Sequence, residues 1–278
     1  MRLLTWNIQW GLGMDGRVDL ARIVSHAREL ADPDVICLQE VADNMPDLAG
    51  SDGADGFAAI ARLLPGYQAV TGTGVEIFDE AGGRRRFGNM VLSRLPLRQV
   101  LRHQLPWPGV AGLNMPRMLV ETSIVAPFGP VRVLTTHLEY FSAELRALGV
   151  DAIRAAHAQA SSREMTPRDA GSGPYLVQPG SRSAILTGDF NMRPADPTRL
   201  RLLEPFDDGT LPFVDAWTVR NGEVPHPHSF CIADGRYGEP HCADYILVTA
   251  DLAPRVTDIR YDTETRLSDH QPVVLELR

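Results

Sequence analysis

The stretch Ala184-Ile185-Leu186-Thr187-Gly188-Asp189-Phe190-Asn191 predicts a buried β-strand that ends in a polar site. Side chains alternate between the two faces of an extended chain. Asp189 and Asn191 are therefore expected to point the same way, and Phe190 back toward the core. Gly188 has no side chain, which would let a substrate or metal ion approach the backbone closely. Gly-Asp-Phe-Asn is also compatible with a simple turn. Only the rest of the chain can distinguish a turn from a polar site at the end of a strand.

Apolar periodicity predicts strands and amphipathic helices along the whole chain. Further strands are predicted at residues 3–8, 35–40, 68–71, 75–78, 89–93, 118–125, 131–136, 244–248 and 273–277. Helices are predicted at residues 19–30, 57–64, 142–164 and 197–203. Each half of the chain thus contains strands, a long helix and more strands. This order favours a single α/β domain over residues 1–278, with two packed mixed sheets flanked by helices.

Two connections between these elements are long. Residues 95–115 are rich in proline and aromatic residues and are interpreted as a loop, either one that rims a pocket or a plain covering loop. Residues 166–183 are rich in proline and glycine and are interpreted as a surface insertion. The triplet Arg84-Arg85-Arg86 is either a patch that attracts phosphate or, as we favour, a solvated strand edge.

The composition limits the classes of function. Of 278 residues, 44% are hydrophobic, which supports one large core, and the formal net charge is -8. That charge disfavours tight, sequence-independent binding to long nucleic acids, because such binding relies on Lys and Arg to neutralise phosphates. We find neither an apolar run of the roughly 20 residues that cross a bilayer nor a signal peptide. We therefore expect a soluble, cytoplasmic protein without a membrane span, and a monomer.

The cysteine pattern does not favour a structural zinc site. Cys37, Cys231 and Cys242 are odd in number, which fits reduced thiols in a cytosolic compartment. The histidines near the last two, at positions 226, 228 and 241, do not complete a tetrahedral zinc spacing.

Polar residues recur at the ends of the predicted strands. They are Asn7, Glu40, His137, Asp189, Asn191, Asp244, Asp269 and His270. Each one alone is also compatible with a cap, a surface acid or a structural histidine. If the two sheets pack face to face, these ends converge on one rim. Carboxylates and carboxamides suit a hard divalent cation such as Mg²⁺ or Mn²⁺, which leaves the histidines to face a substrate.

Seven short motifs occur in an order that resembles the endonuclease/exonuclease/phosphatase superfamily. They are Thr5-Trp6-Asn7, Leu38-Gln39-Glu40, Gly88-Asn89 through Ser93-Arg94, Thr136-His137-Leu138, Gly188-Asp189-Phe190-Asn191, Asp244-Tyr245-Ile246 and Ser268-Asp269-His270. Each tripeptide alone is weak evidence, but seven in the correct order are specific. The resemblance implies a four-layer α/β sandwich, DNase I-like, that hydrolyses phosphate esters with a divalent metal ion.

The resemblance also implies a role for each matched position. Glu40 is the expected principal metal ligand, with Asn7 and Asp269 contributing. Asp189 would orient or deprotonate the attacking water. The phosphoryl oxygens would be contacted by Asn191, His137 and His270, with Asp244 holding His270 in its tautomer. Asn89 and Arg117 are further candidates for phosphate contacts. Many relatives carry a basic residue shortly before the strand aspartate, but here the run is His241-Cys242-Ala243-Asp244, which puts that contact in doubt.

Three classes of function remain open. The first is a metal-dependent phosphodiesterase or phosphomonoesterase whose substrate is a small nucleotide, a sugar phosphate or a lipid headgroup. The second is a DNA or RNA endonuclease or exonuclease, which the acidic net charge makes the runner-up. The third is a non-catalytic binding module on the same scaffold, which the complete set of motifs disfavours.

Overall fold

A computed structural model describes residues 1–169 and 171–278, in which twelve strands form two six-stranded mixed sheets. The first sheet contains, in spatial order, β11 (Val256–Tyr261), β12 (Val273–Leu277), β1 (Arg2–Asn7), β2 (Val35–Asp43), β4 (Arg84–Ser93) and β3 (Gln68–Phe78). The second contains β5 (Leu97–Gln104), β6 (Met118–Ala126), β7 (Gly129–His137), β8 (Ala184–Asp189), β10 (Asp244–Thr249) and β9 (Phe213–Asp215).

Helices cover the outer faces of both sheets. The described α-helices are α1 (Leu20–Ala31), α2 (Gly56–Leu63), α3 (Ala143–Met165), α4 (Pro197–Arg201) and α5 (Ala216–Asn221). Polar side chains begin the longer ones: Asp19 caps α1 and Ser142 caps α3, each accepting a hydrogen bond from a backbone N–H of the first turn. α1 and α2 pack on the first sheet, and α3 and α4 pack on the second. The predicted four-layer sandwich is confirmed.

Strand alternation explains how three apolar layers arise from these sheets. Leu3 and Ile185 point into the layer between the sheets, whereas their neighbours Leu4 and Leu186 point outward toward helices. Gln39 is one of the polar side chains that join the two sheets: its Nε2 donates to Thr5 Oγ1 at 3.1 Å and to Thr135 Oγ1 at 2.9 Å. These two hydrogen bonds hold the sheets together at the residue that precedes Glu40.

The structure corrects three predicted segments. Residues 97–104, interpreted as loop, form edge strand β5, and residues 256–261, left unassigned, form edge strand β11. Both strands are only partly buried, so they lack the apolar run that reveals a central strand. The two short strands predicted at 68–71 and 75–78 are one strand with an irregularity between Thr73 and Val75. The remaining predicted strands and helices are confirmed with shifted ends.

Three further predictions concern surface features. In the predicted insertion at 166–183, Ala170 lies outside the described residues, and a short 3-10 turn occupies Gly173–Tyr175. The arginine triplet lies in β4, and its three side chains form ion pairs with the carboxylates of Glu76, Asp47 and Asp43. Over the described part of the chain, no helix combines the length and the apolar character needed to cross a membrane.

Candidate active site

The register of the strands brings polar residues together at one edge of the sandwich. Asp189, the last residue of β8, lies opposite His137 of parallel β7 and opposite Asp244 of antiparallel β10. Asn7 ends β1 beside Gln39 of parallel β2, so Glu40 follows directly. Strand ends of both sheets therefore meet over one small area, although the residues are far apart in sequence.

A cleft with a volume of about 380 Å³ opens at this edge. The predicted site residues that line it are Glu40, Arg117, His137, Asp189, Asn191, Asp269 and His270. Asn7 and Asp244 are buried behind the cleft and bond to residues that line it. Asn89 lies outside it: its Nδ2 donates to the carbonyl of Met118 at 2.9 Å, beside a separate small cavity. The structure thus brings together all the predicted site residues except Asn89.

Asn7 links the two carboxylates on opposite sides of the cleft floor. Its Nδ2 donates to Glu40 Oε1 and to Asp189 Oδ2, both at 3.0 Å. Its Oδ1 accepts from the backbone N–H of Gln9 at 3.1 Å. Burial raises the pKa of Glu40 to about 7, and the nearby charge of Asp269 adds to this rise. The carboxylates around Glu40 therefore carry more negative charge than the surrounding hydrogen-bond donors neutralise.

His270 lies between two aspartates. Its Nδ1 is 2.8 Å from Asp244 Oδ2, and its Nε2 is 3.5 Å from Asp189 Oδ2. Burial alone would lower the pKa of His270, but the charges of Asp244 and Asp189 outweigh it and raise that pKa well above its usual value. His270 is therefore protonated near neutral pH and can donate from Nε2. Burial also raises the pKa of Asp189, to about 6, against the lowering effect of His270.

His137 has the opposite electrostatic character. Burial, reinforced by the positive charges of Arg117 and His270, lowers its pKa well below the usual value, so the ring is neutral. Its Nε2 lies 3.1 Å from Asn191 Nδ2 and 3.3 Å from Asp189 Oδ2. The cleft therefore contains one cationic and one neutral imidazole around the same carboxylate.

Arg117 is held in the cleft wall by Glu139. Arg117 Nε donates to Glu139 Oε2 at 3.1 Å, and the backbone N–H groups of Met115 and Phe141 donate to the same carboxylate. Arg117 is 9% exposed, yet its Nη1 is buried and has no hydrogen-bond partner among the described residues. A buried cationic donor without an acceptor is costly. Since Arg117 also lines the cleft, its positive charge is available to an anionic ligand there.

The turn after β8 differs from the predicted geometry, although both of its polar side chains do line the cleft. Asn191 is not extended: its φ is 52°, and its backbone N–H donates to Asp189 Oδ1 at 2.9 Å. The missing side chain of Gly188 makes room for the neighbouring strand and not for a ligand. A Cβ at that position would lie 1.9 Å from the carbonyl oxygen of Thr136, at a φ of 136°. Close approach of two strands therefore explains this glycine.

Substitution of Gly188 with alanine is expected to destabilise the fold by at least about 3 kcal/mol, because the methyl group meets backbone and the φ is unfavourable. Urea denaturation would measure this loss. Gly109→Ala is the matched control, since a Cβ there meets nothing within 4 Å. Equal unfolding midpoints for Gly188→Ala and the wild type would contradict this account of the β7–β8 contact.

Backbone strain concentrates at the cleft. Four residues that line it have a positive φ without being glycine: Gln9 and Trp10 at 45°, Glu40 at 58° and Asn191 at 52°. Apart from asparagine, such residues rarely adopt this region. Conformations of this kind cost about 1–3 kcal/mol each and cluster at functional sites. The strain supports the assignment of this cleft as the functional site.

The sequence of this chain matches the model of the Endonuclease/Exonuclease/phosphatase family over residues 4–270. The chain belongs to this family. Its members are generally phosphoesterase hydrolases and generally depend on a divalent metal ion. A search of curated proteins finds no match.

Solved structures of other members of the Endonuclease/Exonuclease/phosphatase family share the fold. An endonuclease/exonuclease/phosphatase from Beutenbergia cavernae DSM 12333 is 26% identical with a TM-score of 0.70, covering 100% of this chain and 71% of that chain. A mannosyl-6-phosphatase from Bacteroides thetaiotaomicron VPI-5482 is 16% identical with a TM-score of 0.64, covering 100% and 99%. A humanized D. rerio TDP2 is 18% identical with a TM-score of 0.62, covering 100% and 98%.

The donor set fits the divalent cation that this family generally uses. Burial raises the pKa of three carboxyl groups in the cleft, Glu40, Asp189 and Asp269, and this is typical of acids that lack a compensating charge. Carboxylate oxygens are the ligands that Mg²⁺ and Mn²⁺ prefer. Asp189, Asp244 and His270 also place one donor atom each within 4.8 Å of one another. Both ring nitrogens of His270 already face carboxylates, so that trio is better described as a hydrogen-bonded network.

Several residues of this family member's cleft were missed by sequence reasoning. Gln9 Nε2 donates to Asp269 Oδ2 at 2.9 Å, and Ser229 Oγ donates to Asp244 Oδ2 at 2.7 Å. Gln9 and Glu139 each lie two residues beyond a predicted site residue, and that proximity could have indicated them. Ser229 carries no local signal. Leu113, Asn114 and Met115 of the long predicted loop 95–115 rim the cleft. His103 of the same predicted loop pairs with Glu121.

Proposed function

We propose that this chain is a divalent-metal-dependent hydrolase of phosphate esters that acts on a small substrate. One observation carries the proposal. The acidic group of Glu40, Asp189 and Asp269 faces the same cleft as four donors suited to a phosphate, which are Arg117, His137, Asn191 and His270. Phosphoryl transfer to water needs these two sets of groups side by side.

Glu40 and Asp269, with Asn7 beside them, are the proposed ligands of the cation. A bound Mg²⁺ or Mn²⁺ would polarise the phosphoryl oxygens and make a coordinated water more acidic. Gln9 holds Asp269 in place through its Nε2.

Asp189 is the proposed general base. Its Oδ1 is fixed by the Asn191 N–H and its Oδ2 by Asn7, so the carboxylate has one orientation toward the cleft. A pKa of about 6, raised by burial, suits a group that takes a proton from water near neutral pH. The water oxygen then attacks phosphorus and the P–O bond to the ester oxygen breaks. The leaving oxygen takes up a proton from solvent, which gives a free hydroxyl compound and a phosphate product.

The remaining residues stabilise the charge that develops on the non-bridging oxygens. Protonated His270, oriented by Asp244, donates from Nε2. Asn191 Nδ2 bonds the Leu138 carbonyl and His137 Nε2 in this structure, so it donates to a phosphoryl oxygen in exchange for one of these bonds. The guanidinium of Arg117 lines the cleft and contributes its positive charge. Removal of one such donor typically lowers the rate by about a hundredfold or more.

Size and charge favour a small substrate over long nucleic acid. A volume of about 380 Å³ lies in the range of small-molecule sites. Among the described residues, Arg117 is the one arginine that lines the cleft, and the sequence contains no lysine. The arginine triplet of β4 is engaged in ion pairs, so it does not provide a free basic track for a phosphate backbone.

A substrate panel tests this function. We expect bis-p-nitrophenyl phosphate, p-nitrophenyl phosphate or a nucleoside monophosphate to be hydrolysed with magnesium or manganese. A chelator should lower that rate by at least about a hundredfold. Cleavage of supercoiled plasmid at catalytic rates, with no small ester hydrolysed, would favour a nuclease instead. A protein that hydrolyses no ester and binds no magnesium in calorimetry would be a binding module.

A further inference from the structure

A row of aromatic rings leads from His270 to the mouth of the cleft. We call it the aromatic wall; its members are His270, Phe230, Tyr237, Tyr140 and Phe141. Successive centroids are 4.3 Å, 5.9 Å, 6.0 Å and 4.9 Å apart, and the first two pairs are stacked while the last two meet edge to face. All five residues line the cleft.

The outer rings of the wall remain open to solvent. Phe230 is 5% exposed, but Tyr237 is 47% and Phe141 is 63% exposed. Large aromatic side chains with this exposure, grouped in a concave site, are typical of ligand-binding surfaces and not of cores. The inner end of the wall is therefore packed, and its outer end presents free aromatic surface beside the reactive groups.

The wall is held rigidly by backbone contacts. Phe230 exchanges two backbone hydrogen bonds with His241, at 3.0 Å and 3.2 Å, and the next residue, Cys231, has a φ of 60°. The N–H of Phe141 donates to Glu139, which also holds Arg117. The carboxylate of Glu139 therefore sets the position of the wall relative to the cationic donor. A ligand would meet this surface with little loss of conformational entropy.

Two further apolar side chains line the cleft. Trp10 is fixed by a hydrogen bond from its Nε1 to the Ala49 carbonyl at 2.9 Å, and Leu113 is 74% exposed. The polar donors are confined to the floor. A molecule in the cleft thus meets charge at one end and aromatic surface along its length.

We propose that the substrate is a small phosphate ester with a planar aromatic group, an aryl or a nucleobase, that stacks on the aromatic wall. This inference rests on the proposed function and specifies the substrate class of the same site. Ring pairs favour centroid separations of about 4.5–7 Å. Three of the four successive pairs in the wall lie in that range, so one more ring can extend the series. Stacking of one base on an aromatic side chain changes affinity by about tenfold to a hundredfold.

Matched inhibitors test the inference on the full chain with magnesium, using the small ester from the panel that is hydrolysed as the reporter. Adenosine 5′-monophosphate is compared with ribose 5-phosphate, and benzyl phosphate with cyclohexylmethyl phosphate. Each pair keeps the phosphate and changes only the presence of an aromatic ring. We expect the aromatic member of at least one pair to have an inhibition constant about tenfold lower or more. The pair that responds distinguishes a nucleobase from a simple aryl group.

Variants then locate the effect. In Tyr237→Ala the preference should fall to less than about threefold, and Tyr237→Phe should restore it. Phe141→Ala is a second test at a more exposed ring, and Tyr175→Ala is the matched control, because Tyr175 is 82% exposed and does not line the cleft. Equal inhibition by both members of both pairs, or a preference that survives in Tyr237→Ala and Phe141→Ala, would overturn the inference while ester hydrolysis still stood. Absence of any ester hydrolysis would instead refute the proposed function.

Discussion

Replacement of Asp189 with asparagine is expected to lower kcat by about a thousandfold or more, since a positioned general base typically contributes 10²- to 10⁴-fold. The amide has nearly the same shape and can still accept from the Asn191 N–H. It cannot take a proton from water. Steady-state kinetics at saturating magnesium would measure the loss. Circular dichroism and magnesium titration should show that folding and most of the metal affinity remain.

A matched control keeps this prediction specific. Asp258→Asn makes the same chemical change on edge strand β11, where Asp258 pairs with Arg260 outside the cleft, and it should leave kcat unchanged.

The wild-type rate should also fall as the pH drops through about 6 or below, because Asp189 then gains the proton that blocks it. A bound cation would move that acidic limb to lower pH. Near-normal kcat in Asp189→Asn would refute the role of Asp189 in activating water.

The sequence alone predicted the central strands well, because their local pattern and their tertiary environment agree. The run from Ala184 to Asp189 is apolar, fully buried and bounded by turn residues, and it forms β8 as predicted. The edge strand Leu97–Gln104 mixes arginine, glutamine and leucine, since half of it faces solvent. Such a pattern has no clear period, so its pairing with β6 could only come from the fold.

The same distinction holds for the site. Glu40 and Asp189 could be found because a polar residue after an apolar run is a local signal, although β2 continues past Glu40 to Asp43 with an irregularity between Leu38 and Val41. Ser229 and Tyr237 lie outside the strands and long helices, and only the folded chain brings Ser229 to Asp244 and Tyr237 to the cleft. Asn89 lies in a matching motif, but its side chain donates to the Met118 carbonyl and does not take part in the cleft. Sequence motifs locate candidates, whereas strand register decides which of them meet.

Replacement of Glu40 with glutamine is expected to lower kcat/KM by at least about a hundredfold, because a neutral amide is a poor ligand for a hard cation. The shape of the side chain and its hydrogen bond from Asn7 are retained. Calorimetry with magnesium should show binding to the wild type and little or none to the variant. Glu80→Gln, at the exposed tip of the β3–β4 hairpin, is the matched control and should behave as the wild type.

The stability of the same variant should not respond to magnesium, unlike that of the wild type. Without a cation, the wild type must fold with an ionised Glu40 that burial and Asp269 both oppose, as its pKa of about 7 indicates. That cost is absent below the usual pKa of 4.5, grows as the pH rises toward 7 and is then constant. With a chelator at about pH 8, Glu40→Gln should therefore have the higher Tm. Saturating magnesium should raise the Tm of the wild type alone, because only it binds the cation in the folded state, and the order should reverse. If the same protein has the higher Tm with and without magnesium, Glu40 is not the main ligand of the metal. The acidic group at the cleft floor must then have another role.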